Sequence, residues 1–337
     1  MLLNFVDNYN KKRLCIILII SKLKVVIYHK NSFIMHNLKT NFDKILNITK
    51  SFFKGSINAD GNYYFYPNKP KMSDCEVIAL SVLCETIGID SENYLFGKLK
   101  SDHLKDFPNL IHRSIFNRRR KQLGDLIAML NYKISSFMNE GENIYLVDSI
   151  PIPVCKIARE KSYKICKENF ETAPDKGYSA VSKSWYIGYK LHLATSVRGI
   201  FSSMDLTKAS VHDIHYLNEV KYSGITNCTL IGDKGYISEP IQLDLFNTRQ
   251  IKLKTPLRSN QHDKEPFPFI FKKARKRIET LFSQLCDQQM LKRNYAKTKT
   301  GLSIRLLCKI TSVTMLQYIN LLNNKPLNHL KYALACW

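Results

Sequence analysis

The stretch "NIYLVDSIPIPVC", residues 143–155, decides how the chain is read. Ile144, Tyr145, Leu146 and Val147 form a short run of apolar and aromatic residues, and Asp148 follows at once. Such a run reads as a buried strand. A carboxylate at its end is costly to bury and needs either a partner or a task.

Further strands follow from the same pattern. "WYIGYKLHLATS" (185–196) and "GIFSSMDLT" (199–207) read as two strands joined by "VRG", a hairpin signal. "SVHDIHYLNEVK" reads as a short helix capped by Ser210, "NCTLIGD" as a fourth strand and "RQIKLKTP" as a fifth. The segments "PFIFKKARKRIETLFSQL" and "LSIRLLCKITSVTMLQYIN" read as closing helices. Strands in succession, then strand and helix alternating, predict a mixed five-stranded α/β sheet with helices packed on it. The loop from Lys156 to Ser184 shows no readable period.

Before Gly141 the pattern is helical. "MSDCEVIALSVLCETIG" offers Ser73 as N-cap with Glu76 three residues on, a capping box. In "HRSIFNRRRKQLGDLIAMLNYKI" the apolar positions Ile115, Phe116, Leu123, Ile127 and Leu130 share a face, with Arg118, Arg119, Arg120 and Lys121 beside it. That basic run is either a solvated face or a DNA contact. The expected organisation is an extension at 1–34, a helical region at 35–140, an α/β domain at 141–325 and a tail at 326–337.

The charge balance favours the DNA reading. The 337 residues carry 51 Lys plus Arg against 28 Asp plus Glu, a formal +23, and the pI is near 9.6. Self-repulsion on that scale is relieved by an anionic polymer, and nucleic acid is favoured over an anionic membrane. Nine scattered cysteines with no C-x-x-C fit neither a disulfide framework nor a structural zinc site, and read as reduced thiols in the cytoplasm. The apolar run Leu14–Ile20 falls short of the ~20 residues that span a bilayer. Lys22 and Lys24 stand where a signal peptide would need small residues. Met35 is the favoured natural start.

Three acids stand out by their order along the chain. Asp148 ends one expected strand, and Asp233, in "TLIGDKGY", ends another. Glu279 lies on the helix whose apolar stripe is Ile278, Leu281, Phe282 and Leu285, one position round from Ile278 and so at the stripe's edge. Carboxyl ends of strands are where open α/β sheets place ligands. Three carboxylates gathered there would repel one another unless a cation held them. Oxygen ligands suit Mg²⁺ or Mn²⁺, and a pair of such ions about 3.5–4 Å apart aligns the oxygens of phosphodiester chemistry. Taken singly, each acid reads more readily as a turn former, a cap or a surface residue.

Together, "LVDSIPIPVC", "GYKLHLATS", "LIGDKGY", "RKRIETLFSQL" and "GLSIRLLCKITSVTMLQYIN" resemble the DDE transposases of bacterial insertion sequences, most closely insertion-sequence family 982. "SDCEVIALSVLCETIGIDSENYLFGKL" is similar to that family too, so the resemblance runs from about Met35 to Asn320. It implies an RNase H-like catalytic core with two Mg²⁺ or Mn²⁺ ions held by Asp148, Asp233 and Glu279. It also implies terminal inverted repeats and target DNA as substrates, a homodimer in the synaptic complex, and a bacterial, nucleoid-associated location. Arg275, four residues before Glu279, matches a pattern of Tyr, Arg, Glu and Lys in related enzymes, whereas Lys272 and Cys286 occupy its Tyr and Lys positions. Lys234 and the run Lys272, Lys273, Arg275, Lys276 and Arg277 are further candidates for steering phosphates. His212, Asp213 and His215 read as a solvated helix start rather than a transition-metal site. Phe170, Tyr178, Trp185 and Tyr186 fit either base stacking or core. Two rival readings stay open: an RNase H-like nuclease without strand transfer, and a silent DNA-binding remnant of a decayed element.

Overall fold

The computed structural model describes residues 38–256 and 267–334; the extension expected at 1–34 lies outside the described residues. Helices come first: α1 (Leu38–Phe52), α2 (Asp74–Thr86), α3 (Glu92–Asp102), α4 (Arg113–Gln122) and α5 (Gly124–Met138). α2 begins at the expected capping box. Ser73 Oγ accepts the Glu76 N–H at 3.3 Å, and the Glu76 carboxylate accepts the Ser73 N–H at 2.6 Å.

The strands are β1 (Ile144–Lys156), β2 (Asp175–Ser179), β3 (Ser184–Ser196), β4 (Phe201–Lys208), β5 (Cys228–Ile231) and β6 (Ile251–Lys254). α6 (Tyr216–Val220) connects β4 to β5, and α7 (Glu239–Arg249) connects β5 to β6. α8 (Phe269–Asp287) and α9 (Lys299–Leu322) follow. β1 pairs antiparallel with β3 on one edge and parallel with β5 on the other, and β6 continues parallel beyond β5. The far edge of β3 is shared: β2 pairs with 184–188 and β4 with 189–195. The sheet therefore has six described strands, not the expected five. "DKGYS" gives β2 no apolar alternation to betray it, and its order comes from pairing with β3.

β1 also corrects an expectation. It does not stop at Asp148 but continues to Lys156, supported by β3. Its ladder with β5 covers only Ile144 to Leu146. Pro151 and Pro153 lie past that ladder, where the edge facing β5 is unpaired among the described residues, and such an edge tolerates proline. Asp148 therefore stands just beyond the end of the parallel ladder, not at the end of the strand.

Side chains alternate across a strand, so parity assigns the faces. Leu146, Ile150 and Ile152 of β1 join Leu191 and Leu193 of β3 in a core shared with Ile278 and Leu281 of α8. Tyr145, Val147 and Ala194 join Tyr216, Leu230, Leu245 and Ile251 in a second core. Asp148 pairs across the ladder with Leu193 and has the parity of Leu146 and Ile150, which turns it toward the α8 side.

The first core extends through α1, α2 and α5 to α9. α9 packs on α5 and α2 and also touches α8 and β4. At its centre Lys309 donates to Glu85 of α2 at 2.6 Å and to the Gln289 carbonyl at 2.6 Å, with both charged side chains 1% exposed.

Gly188 marks the closest backbone approach within the sheet. A Cβ there would stand 2.2 Å from the Ile152 carbonyl oxygen and 2.9 Å from Pro153 Cα, both main-chain atoms that cannot swing aside. Gly188→Ala is expected to destabilise the protein by about 2 kcal/mol or more, read as a lowered urea midpoint.

Candidate active site

Two turns pack together near Asp148 of β1. Asp233 follows β5 and caps the turn Lys234–Tyr236, its Oδ1 accepting the Gly235 N–H at 2.8 Å. A Cβ at Gly235 would stand 2.9 Å from that same oxygen and would push the carboxylate aside. Asp148 Oδ1 accepts the Ser149 N–H at 2.8 Å. Burial raises the Asp148 carboxyl to a pKa of about 6; the Ser149 hydrogen bond and Arg275 oppose the rise, while Asp233 and Asp213 add to it.

Asp213 is the acid that sequence reading missed as part of this site. It opens the turn Asp213–His215, which packs on the turn Lys234–Tyr236. One of its oxygens lies 3.8 Å from the position a Gly235 Cβ would take, and the other accepts from Lys190 at 2.7 Å. The negative charge of all three aspartates reaches buried Tyr236, whose hydroxyl has no hydrogen-bond partner among the described residues and is pushed well above the usual tyrosine range, mainly by burial. His212 and His215 are exposed, and His212 caps its own turn.

α8 brings Arg275 to the site. Arg275 is half-buried, its Nε lacks a partner, and its charge acts on Asp148. Glu279, one turn further on, is exposed. A regular helix turns about 100° per residue, so Arg275 stands about 60° round from the buried Ile278 and Glu279 about 100°. The two residues thus share one side of the helix about 40° apart, Arg275 nearer the buried stripe and Glu279 nearer its edge.

These positions bear on the metal expectation. Asp148 and Asp233 supply oxygen donors, and their mutual repulsion is what a hard divalent cation relieves, so the pair fits Mg²⁺ or Mn²⁺. Among the described residues, however, no group of three His, Cys, Asp or Glu side chains is arranged to hold a metal ion. The two aspartates are the described donor pair, with Glu279 exposed on α8.

Asp148 also gives a pH-dependent stability. Its folded pKa of about 6 lies above the ordinary 3.8, so the ionised side chain costs stability at neutral pH, and that cost fades as pH falls through 6 toward 4. In EDTA, Asp148→Asn is expected to melt higher than wild type at pH 7.5, by up to about 3 kcal/mol, and to match it near pH 4. An equal difference at both pH values would contradict this.

The expected DNA contacts divide into two groups. Arg118, Lys234, Lys272, Lys273, Lys276 and Arg277 are exposed, and Lys121 is half-buried. Arg119 and Arg120 are held in buried ion pairs, which corrects the reading of the run as one exposed basic face. Arg119 donates to Asp74 at 2.7 Å and to the Met72 carbonyl, and Arg120 pairs with Glu92. Both are buried. Each stands three or four residues after buried Phe116, so helical spacing carried the signal. Of the aromatics, Phe170, Tyr178 and Trp185 are exposed, with Lys176 5.1 Å over the Trp185 ring, while Tyr186 is buried.

Residues 138–297 match the family described as a transposase DDE domain. The match runs from the last residue of α5 to the approach to α9 and includes Asp148, Asp233 and Glu279. It supports a DDE transposase and does not single out insertion-sequence family 982. The chain is also similar, at 14% identity and a TM-score of 0.21, to a structure described as a Mos1 transposase paired-end complex with left transposon end, over 80% of this chain and 85% of that one. A TM-score that low carries no weight for fold or function. No curated protein matches. No helix among the described residues is long and apolar enough to cross a membrane.

Proposed function

We propose that this chain is a DNA transposase that cleaves the ends of an insertion sequence and joins the freed 3′-OH to target DNA. The observation that carries this reading is the placement of Asp148 and Asp233 where the parallel β1–β5 ladder ends, inside the segment that matches a transposase DDE domain. The sheet supports an RNase H-like core: β4, β3 and β1 run antiparallel in a row, and β5 and β6 continue parallel to β1.

Asp148 and Asp233 would hold a divalent ion, with Glu279 as the proposed third ligand from one turn beyond Arg275. Two bound ions would activate the attacking oxygen and neutralise phosphoryl charge. Arg275 balances the negative charge around Asp148 and is positioned to receive a phosphate approaching along α8. Lys234, beside Asp233, and the exposed bases of α8 extend that positive rim. DNA carrying the terminal inverted repeats and target DNA are the proposed partners, with a homodimer in the synaptic complex and a nucleoid-associated location in a bacterium.

The test incubates the full chain, and a chain starting at Met35, with the DNA flanking the gene and Mg²⁺ or Mn²⁺. Cuts at the repeat ends with joined products are expected. Cutting without joining, and without preference for the repeat ends, would favour a nuclease, and binding without cutting a silent remnant.

A further inference from the structure

We propose that the cavity where α3, α4 and the start of α9 meet binds a backbone phosphate of DNA; this rests on the transposase reading above. The cavity measures about 590 Å³ and shares no residue with the candidate active site. It lies between two helix N-termini, α3 at its cap Ser91 and α9 at its cap Thr298. Each contributes partial positive charge.

Charged side chains add far more. Arg113, Arg120, Lys121, Lys297 and Arg305 line the cavity, against only Asp90 and Glu92. Glu92 is committed already, to Arg120, to Asn117 at 3.0 Å and to Arg113 at 4.0 Å. Asp90 lies 3.9 Å from Arg293, outside the lining, and its carbonyl takes Arg305 at 2.6 Å. The Lys121 and Lys297 side chains have no hydrogen-bond or ion-pair partner among the described residues.

The walls also hold two buried guanidiniums, Arg120 paired with Glu92 and Arg305 lying 3.7 Å from Glu85. Arg120 is 2% exposed, with Nε and Nη1 unpartnered, and Arg305 is 4% exposed, with Nε unpartnered. A guanidinium stays charged when buried, so both residues add to the positive potential of the cavity walls. Gly301, in the first turn of α9, keeps that turn open: a Cβ there would stand 3.0 Å from Thr298 Oγ1 and 3.4 Å from Lys121 Cε. The Lys121 stem thus lies along the helix start at the cavity wall. An anion with several acceptor oxygens can take both lysines and Arg113 at once, which is the chemistry of a phosphate.

The test measures binding of the full chain to a labelled duplex of random sequence by anisotropy across salt concentrations. Beside wild type stands the double variant Lys121→Gln/Lys297→Gln, with fold checked by circular dichroism; Lys297→Glu alone serves if the double variant does not fold. The expected result is a salt slope reduced by about one to two, with an affinity loss of at least about fivefold. A second arm compares melting in inorganic phosphate and in chloride at matched ionic strength. A folded variant that keeps the wild-type slope and affinity overturns the proposal and leaves the transposase reading standing. If that same variant has lost a phosphate-specific rise in melting seen in wild type, the cavity belongs to free phosphate instead. Failure of wild type to bind any duplex would remove the transposase reading and this inference with it.

Discussion

Asp148→Asn and Asp233→Asn are each expected to slow cutting and joining by about 10³-fold or more while leaving duplex affinity within about twofold. Each removes one negative oxygen donor from the pair that would hold the catalytic ion, and several kcal/mol of transition-state stabilisation corresponds to that factor. Neither change disturbs the backbone turns, because an amide oxygen still accepts the Ser149 or Gly235 N–H now held by the carboxylates. Initial rates on DNA with the repeat ends, with anisotropy on the same DNA, separate chemistry from binding. Lost affinity with unchanged rate at saturation would place both aspartates in DNA contact instead.

The second large effect concerns stability. Arg119→Met is expected to cost about 3–5 kcal/mol, because it strands a buried carboxylate. Asp74 is fully buried and accepts from the Tyr63 and Tyr64 N–H groups, the Tyr66 hydroxyl and Arg119. Without the guanidinium, only neutral donors remain for its charge. Arg118→Gln, one residue earlier but exposed, should change stability by no more than about 0.5 kcal/mol. Urea unfolding of the two variants reads the contrast directly. Equal stability would mean that Arg119 is not held in the core and is free to meet DNA.

Those neighbouring arginines show where the sequence was legible and where it was not. A run of like charge reads as a surface, yet three consecutive helical residues point about 100° apart and cannot share one face. Asp148 and Asp233 were legible because each follows an apolar run that could only be a buried strand. Asp213 was not, since "SVHDIH" is a polar helix start, and its approach to Asp233 arises from two turns packed across a long sequence separation. β2 was hidden because its five residues lack alternation and gain order only against β3. Glu279 was placed correctly at the edge of its stripe, but an edge position can face either the sheet or water, and the structure exposes it.

The most direct measurement is a Mn²⁺ titration of the full chain followed by electron paramagnetic resonance, with Asp148→Asn, Asp233→Asn and Glu279→Gln alongside. The expected result is saturable Mn²⁺ binding that is lost in both aspartate variants and weakened in Glu279→Gln. Binding unchanged in Asp148→Asn and Asp233→Asn would contradict the assignment of these carboxylates as the catalytic metal site.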